Sequence, residues 1–235
     1  MLKFLTFLVA ASAACSGPAS AQTITLNSKR LVEVIDVIDG GVLAQAQQVA
    51  VLAAASKEPI DFLINSPGGG VLAGYMLVDS MDAARKEGVK IRCAVGVLAA
   101  SMAFNLLAHC DERYALRHAA LLFHPPRIFA KGPMTAADLD RASEDLKRII
   151  TKSTGELVSM VGMPESVFYK HFNEETMWTA EQLVDESPND WLQVVDNIKG
   201  SELVFTFQRP RFSIFGQRNG FGVGNWEILH VSEFK

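Results

Sequence analysis

Cysteine is scarce in this chain: three residues in 235, with no CxxC pair. That spacing argues against a cysteine metal site. Basic residues form no cluster and the net charge is −4, which argues against a nucleic-acid partner. No internal repeat, low-complexity tract or lysine-bearing phosphate loop is present. Only one stretch is strongly apolar, at the N-terminus, so no other segment is expected to span a bilayer. That stretch reads Met1-Leu2-Lys3, an apolar run from Phe4 to Ala14, then Ala19-Ser20-Ala21. A positive start, a short apolar core and an A-x-A site form a secretory signal peptide, 1–21, cleaved after Ala21. The run is short for a membrane anchor, and Ser12 fits poorly where a lipoprotein signal using Cys15 has leucine.

Cleavage would leave 214 of the 235 residues and, with Lys3 removed, take the net charge from −4 to −5. That length suits one domain, 22–199, with a C-terminal extension, 200–235, rich in Gly, Phe, Arg and Asn and without a recognisable motif. The product is expected in the periplasm or secreted. Only Cys93 and Cys110 remain after cleavage. Export permits a disulfide between them, and a bridge and two buried thiols both fit the sequence.

Within the domain, Leu31–Ile38, Ile60–Ile64 and Val89–Val95 are short apolar runs and predict buried strands. Val42–Ser56 and Val71–Lys86 carry apolar residues at helical spacing, the second stopping before Gly88. Ser66-Pro67-Gly68-Gly69-Gly70 reads as a turn by composition. Tyr114–Leu116 and Ala120–Phe123 predict further strands, Thr135–Val161 a long amphipathic helix capped by Thr135, and Glu165–Phe172 and Thr179–Val184 shorter helices. Trp191–Ile198 fits strand or helix. This rhythm predicts an α/β fold: a parallel sheet with right-handed βαβ crossovers, its ligand crevice at the carboxyl ends of the strands.

Three residue groups converge on that edge. Ser101 falls where the apolar run from Cys93 changes from strand to helix period. A serine there meets unpaired N–H groups and the positive end of a helix, which favour developing negative charge; a plain N-cap is the other reading. His124 closes an apolar strand 23 residues later and is pinned by Pro125-Pro126. The three consecutive glycines let backbone approach a ligand closely.

Ile64-Asn65-Ser66-Pro67-Gly68-Gly69 with Ala73-Gly74, then Ala99-Ala100-Ser101-Met102, then Leu122-Phe123-His124-Pro125 resembles the proteolytic subunit of the Clp protease family, within the ClpP/crotonase fold. The resemblance covers Leu31 to Asp185, with Thr135–Val161 in the place of the family's long handle helix. It implies Ser101 as nucleophile, His124 as general base, the N–H groups of Gly69 and Met102 as oxyanion hole, and Gly68 and Gly70 lining an extended peptide. Glu175 takes the place of the family's aspartate, with Asp185 as fallback. Ala103 stands where the family has glycine and Pro125 where it has glutamine, so peptide specificity does not carry over.

Export removes ATP and the unfoldase, which points to an ATP-independent serine peptidase without cofactor or metal, acting on peptide or protein substrates and assembling as a homo-oligomer through the long helix. A serine–lysine dyad using Lys131 or Lys152 is the variant within the fold. Two other classes compete: a catalytically silent binding or scaffold protein, and a crotonase-type acyl-CoA enzyme. The second needs glutamates on the helices near the crevice, and the sequence places none there before Glu174.

Overall fold

Segments rich in Val and Ile alternate with segments rich in Ala and Leu, and each adopts the form its period dictates. The computed structural model describes residues 22–128, 132–187 and 190–200. In chain order these are β1 (Thr23–Thr25), β2 (Leu31–Ile38), α1 (Val42–Ala55), β3 (Ile60–Gly69), α2 (Val71–Lys86), β4 (Ile91–Ala100), α3 (Met102–Ala108), β5 (Glu112–Leu116) and β6 (Ala120–Leu122). Then follow α4 (Ala136–Val161), α5 (Glu165–Glu174), β7 (Met177–Thr179), α6 (Ala180–Glu186), β8 (Gln193–Val195) and β9 (Asn197–Lys199). The expected leader, 1–21, and the extension beyond Gly200 lie outside the described residues.

The main sheet has the order β2-β3-β4-β5-β8 and is parallel throughout, as expected for an α/β chain whose strands are joined through helices. At its centre β3 buries its first seven residues in succession. One of them, Asp61, is fully buried, and Arg92 on β4 neutralises it with two 2.7 Å hydrogen bonds. β4 changes partner along its length. Arg92–Val95 pair with β5, whereas Leu98–Ala100 pair with β6. β7 adds antiparallel to β6, and β1 and β9 form a separate parallel pair.

Two expectations need correction. Ser66–Gly69 is strand, not turn: Val37 and Ile38 of β2 pair with Gly68 and Gly69, after an irregularity at Ile35/Val37. Glycine here serves close approach, since a Cβ on Gly69 would lie 2.1 Å from the Ile38 carbonyl oxygen. β4 likewise continues past Val95 to Ala100, because β6 offers its second half a new partner. Trp191–Ile198, open between strand and helix from sequence, takes the strand form in β8 and the start of β9. The long helix keeps its predicted start: the Thr135 hydroxyl accepts from the Asp138 N–H, and the Asp138 carboxylate accepts from the Thr135 N–H. Only its C-terminal end is buried, at Ser153, Thr154, Leu157 and Val161, whereas Leu139 is 56% exposed.

An aromatic cluster supports the strand that ends at His124. The Phe123 ring lies 5.2 Å from Phe172, 6.0 Å from Phe104 and 6.0 Å from Phe168, centroid to centroid. These contacts join β6, α3 and α5 under one edge of the sheet. Phe123→Ala should therefore cost about 3–5 kcal/mol of unfolding free energy in urea titration; a loss below about 1 kcal/mol would show that the cluster collapses onto the cavity without penalty.

Candidate active site

The serine sits at a strained corner. Ser101 joins β4 directly to α3 with φ 56° and ψ −121°, a backbone conformation that costs a non-glycine residue energy and persists only where neighbours enforce it. Three neighbours do so. The Ser101 N–H donates to the Leu122 carbonyl at 2.7 Å, and the Asn105 N–H donates to the Ser101 carbonyl at 3.2 Å. On the third side lies Gly68, where a Cβ would stand 2.4 Å from the Ala100 carbonyl oxygen and 2.7 Å from the Ser101 Cβ. Gly68 has φ 90°, so both its torsion and the space around it require glycine.

Asn65 and Ser66 hold this glycine segment in place. The Asn65 Oδ1 accepts from the Val97 N–H at 2.6 Å, bridging the point where β3 and β4 slip register. The Ser66 hydroxyl donates to the Asp36 carbonyl at 2.5 Å and accepts from the Gly68 N–H at 3.0 Å. The Gly68 N–H is thereby occupied. The Gly70 N–H is occupied as well, donating to the Ile38 carbonyl at 2.7 Å. Alternation along the strand turns the intervening Gly69 N–H away from β2, to the side of β4. Met102 opens α3, so its N–H has no partner within that helix. Its side chain passes over Gly74, where a Cβ would meet the Met102 Cγ at 2.1 Å. This accounts for the glycine of Ala73-Gly74.

His124 reaches the same edge because β6 pairs with the end of β4. Ser101, Met102 and His124 line one narrow cleft, walled by Val71, Phe123 and Ile149. The His124 Nδ1 lies 2.8 Å from the Pro125 carbonyl oxygen. A carbonyl only accepts, so Nδ1 carries a proton, and in the neutral ring it is Nε2 that keeps the lone pair.

Neither acidic candidate is among the described residues that line this cleft. Glu175 ends α5 in the left-handed region at φ 51°. Its two carboxylate oxygens receive the Arg127 Nη2 at 2.5 and 2.6 Å, and it forms no hydrogen bond with His124. Asp185 is exposed on α6 beside a shallow hollow that also contains Arg117 and Thr179. Lys152 stands over the Tyr75 ring, 6.0 Å from its centroid, and Lys131 lies outside the described residues. Cys93 and Cys110 are joined by a disulfide with Cα atoms 6.0 Å apart. It ties the strand leading into Ser101 to the end of the helix leaving it.

Residues 19–186 match the family model described as Clp protease. The chain belongs to the Clp protease family. It is 31% identical over 132 residues to the ATP-dependent Clp protease proteolytic subunit 1 of Chlamydia caviae, covering 54% of this chain and 66% of that one. It is 34% identical over 118 residues to subunit 2 of Bacillus licheniformis, with 47% and 60% covered, and 31% identical over 144 residues to subunit 3 of Rhodococcus jostii, with 60% and 69% covered. The chain thus spans just under two thirds of the length of the first of these relatives. Within this Clp protease family member, three polar residues of the cleft were not singled out from sequence: Tyr75, Asn105 and Ser153. Asn105 follows Ser101 by one helical turn, a spacing that marks it in retrospect.

Proposed function

We propose that the protein is an exported serine peptidase that works without an ATPase partner. The observation that carries this reading is the cleft shared by Ser101, Met102 and His124, at a strained strand-to-helix corner. The Ser101 hydroxyl attacks the peptide carbonyl carbon, and its proton passes to the His124 Nε2. The tetrahedral oxyanion receives the N–H groups of Gly69 and Met102. Collapse breaks the C–N bond as His124 returns the proton to the leaving amine, and water repeats the sequence on the acyl-enzyme. Substrate would lie extended along Gly68–Gly70.

In this scheme the Pro125 carbonyl, not a carboxylate, sets the ring tautomer of His124. The geometry favours it over Glu175, which Arg127 holds, and over Lys152, which sits on Tyr75. The relatives are named ATP-dependent; the N-terminal signal and the Cys93–Cys110 disulfide favour a compartment without ATP for this chain. Among the described residues no helix is long and apolar enough to cross a membrane. The exposed first half of α4, with Leu139 open to solvent, supports association between copies of the chain.

A fluorophosphonate probe should label the purified protein. Ser101→Ala and His124→Ala should each reduce labelling at least about 100-fold, whereas Glu175→Gln should change it less than about tenfold. A folded wild type that takes no label would leave the silent binding protein as the better account. In sedimentation at micromolar concentration the protein should exceed the mass of one chain; a monomer would remove α4 from the account as an assembly surface.

A further inference from the structure

α3 is buried at every position, and every residue in it is apolar except Asn105. Asn105 is 2% exposed, and among the described residues its Oδ1 has no hydrogen-bond partner. From α2, Tyr75 lines the same cleft, and its hydroxyl is also buried and also without a partner among the described residues. A buried polar atom left unpaired costs stability, and native proteins retain few of them. Two such atoms, from two different helices, belong to residues that line the cleft of Ser101 and His124. The remaining walls are Val71, Phe123, Pro126 and Ile149, with Ser153, whose hydroxyl donates back to the Ile149 carbonyl at 2.8 Å. An apolar pocket with a few convergent polar groups is the ordinary form of a side-chain binding site.

Resting on the peptidase reading above, we propose that Tyr75 and Asn105 are specificity-determining residues, and that the cleft selects an uncharged carboxamide side chain, glutamine or asparagine, on the residue whose carbonyl Ser101 attacks. The Asn105 Oδ1 accepts from the substrate amide N–H, and the Tyr75 hydroxyl donates to its carbonyl oxygen. Burial, and after it the nearby Glu156, raise the Tyr75 pKa above the ordinary phenol value, so the hydroxyl stays a donor. Among the described residues no carboxylate lines the cleft to receive a cationic side chain. An apolar side chain would leave both polar atoms unpaired, and a site built to hydrogen-bond its substrate discriminates strongly against such an analogue.

The test compares acetylated tripeptide coumarin amides that end in glutamine or in methionine, which is similar in length and lacks the amide. Wild type should show kcat/KM at least about tenfold higher for the glutamine substrate. In Asn105→Leu that ratio should fall below about twofold or reverse, with the melting temperature maintained or raised, because an unpaired polar group is removed from the core. Tyr75→Phe keeps the ring in place and should reduce the ratio about threefold, and it decides the matter if Asn105→Leu does not fold. Fluorophosphonate labelling is read on the same samples. A labelled wild type that prefers methionine, or whose preference both variants leave unchanged, overturns the selectivity and leaves the peptidase reading standing. A folded wild type that takes no label overturns both.

Discussion

The Ser101 N–H to Leu122 carbonyl hydrogen bond, 2.7 Å long, is the contact on which the site depends. It exists because β4 exchanges one neighbour for another partway along, pairing first with β5 and then with β6. Had β5 continued beside β4 to its end, His124 would have had no edge on which to arrive. The exchange brings the last residues of two strands level, and His124 follows Leu122 by two positions. Everything beneath then serves to hold β6 in place: the Phe123 cluster below it, β7 on its free side, and the disulfide behind the corner. That disulfide closes a loop with a sequence separation of 17, and such a loop adds about 3 kcal/mol in chain-entropy terms.

Strain at Ser101 is maintained from the glycine side. A residue with φ 56° relaxes unless packing forbids it. Gly68 presses its Cα against the corner so closely that no side chain fits between. Gly68 is in turn fixed by the Ser66 hydroxyl, which also reaches back to β2. The Asn-Ser-Pro-Gly-Gly segment therefore does two things at once. Its side chains tie three strands together where their register slips, and its backbone leaves one N–H, that of Gly69, directed away from β2.

Much of this could be read from the chain before its structure. Leu31–Ile38 and Val71–Lys86 keep their predicted bounds because apolar period and glycine stops coincide there. Ser101 was legible at the change of period. The strand nature of Ser66–Gly69 was not, since proline and three glycines signal a turn and only a partner strand overrides them. The position of Glu175 was not legible either. Spacing placed it after the long helix, but its left-handed backbone and the Arg127 partner are tertiary facts. Tyr75 and Asn105 stayed hidden because helical spacing marks both as core positions, and only the structure shows that their polar atoms lack partners.

The central claim is that this corner forms a working oxyanion site around an activated serine. A crystal structure of the protein with a peptide boronic acid tests it most directly. The account predicts a covalent bond from the Ser101 Oγ to boron, with one boronate oxygen within hydrogen-bond distance of both the Gly69 and the Met102 N–H. A boronate that leaves Ser101 unmodified, or that turns its oxygens away from both N–H groups, would contradict it.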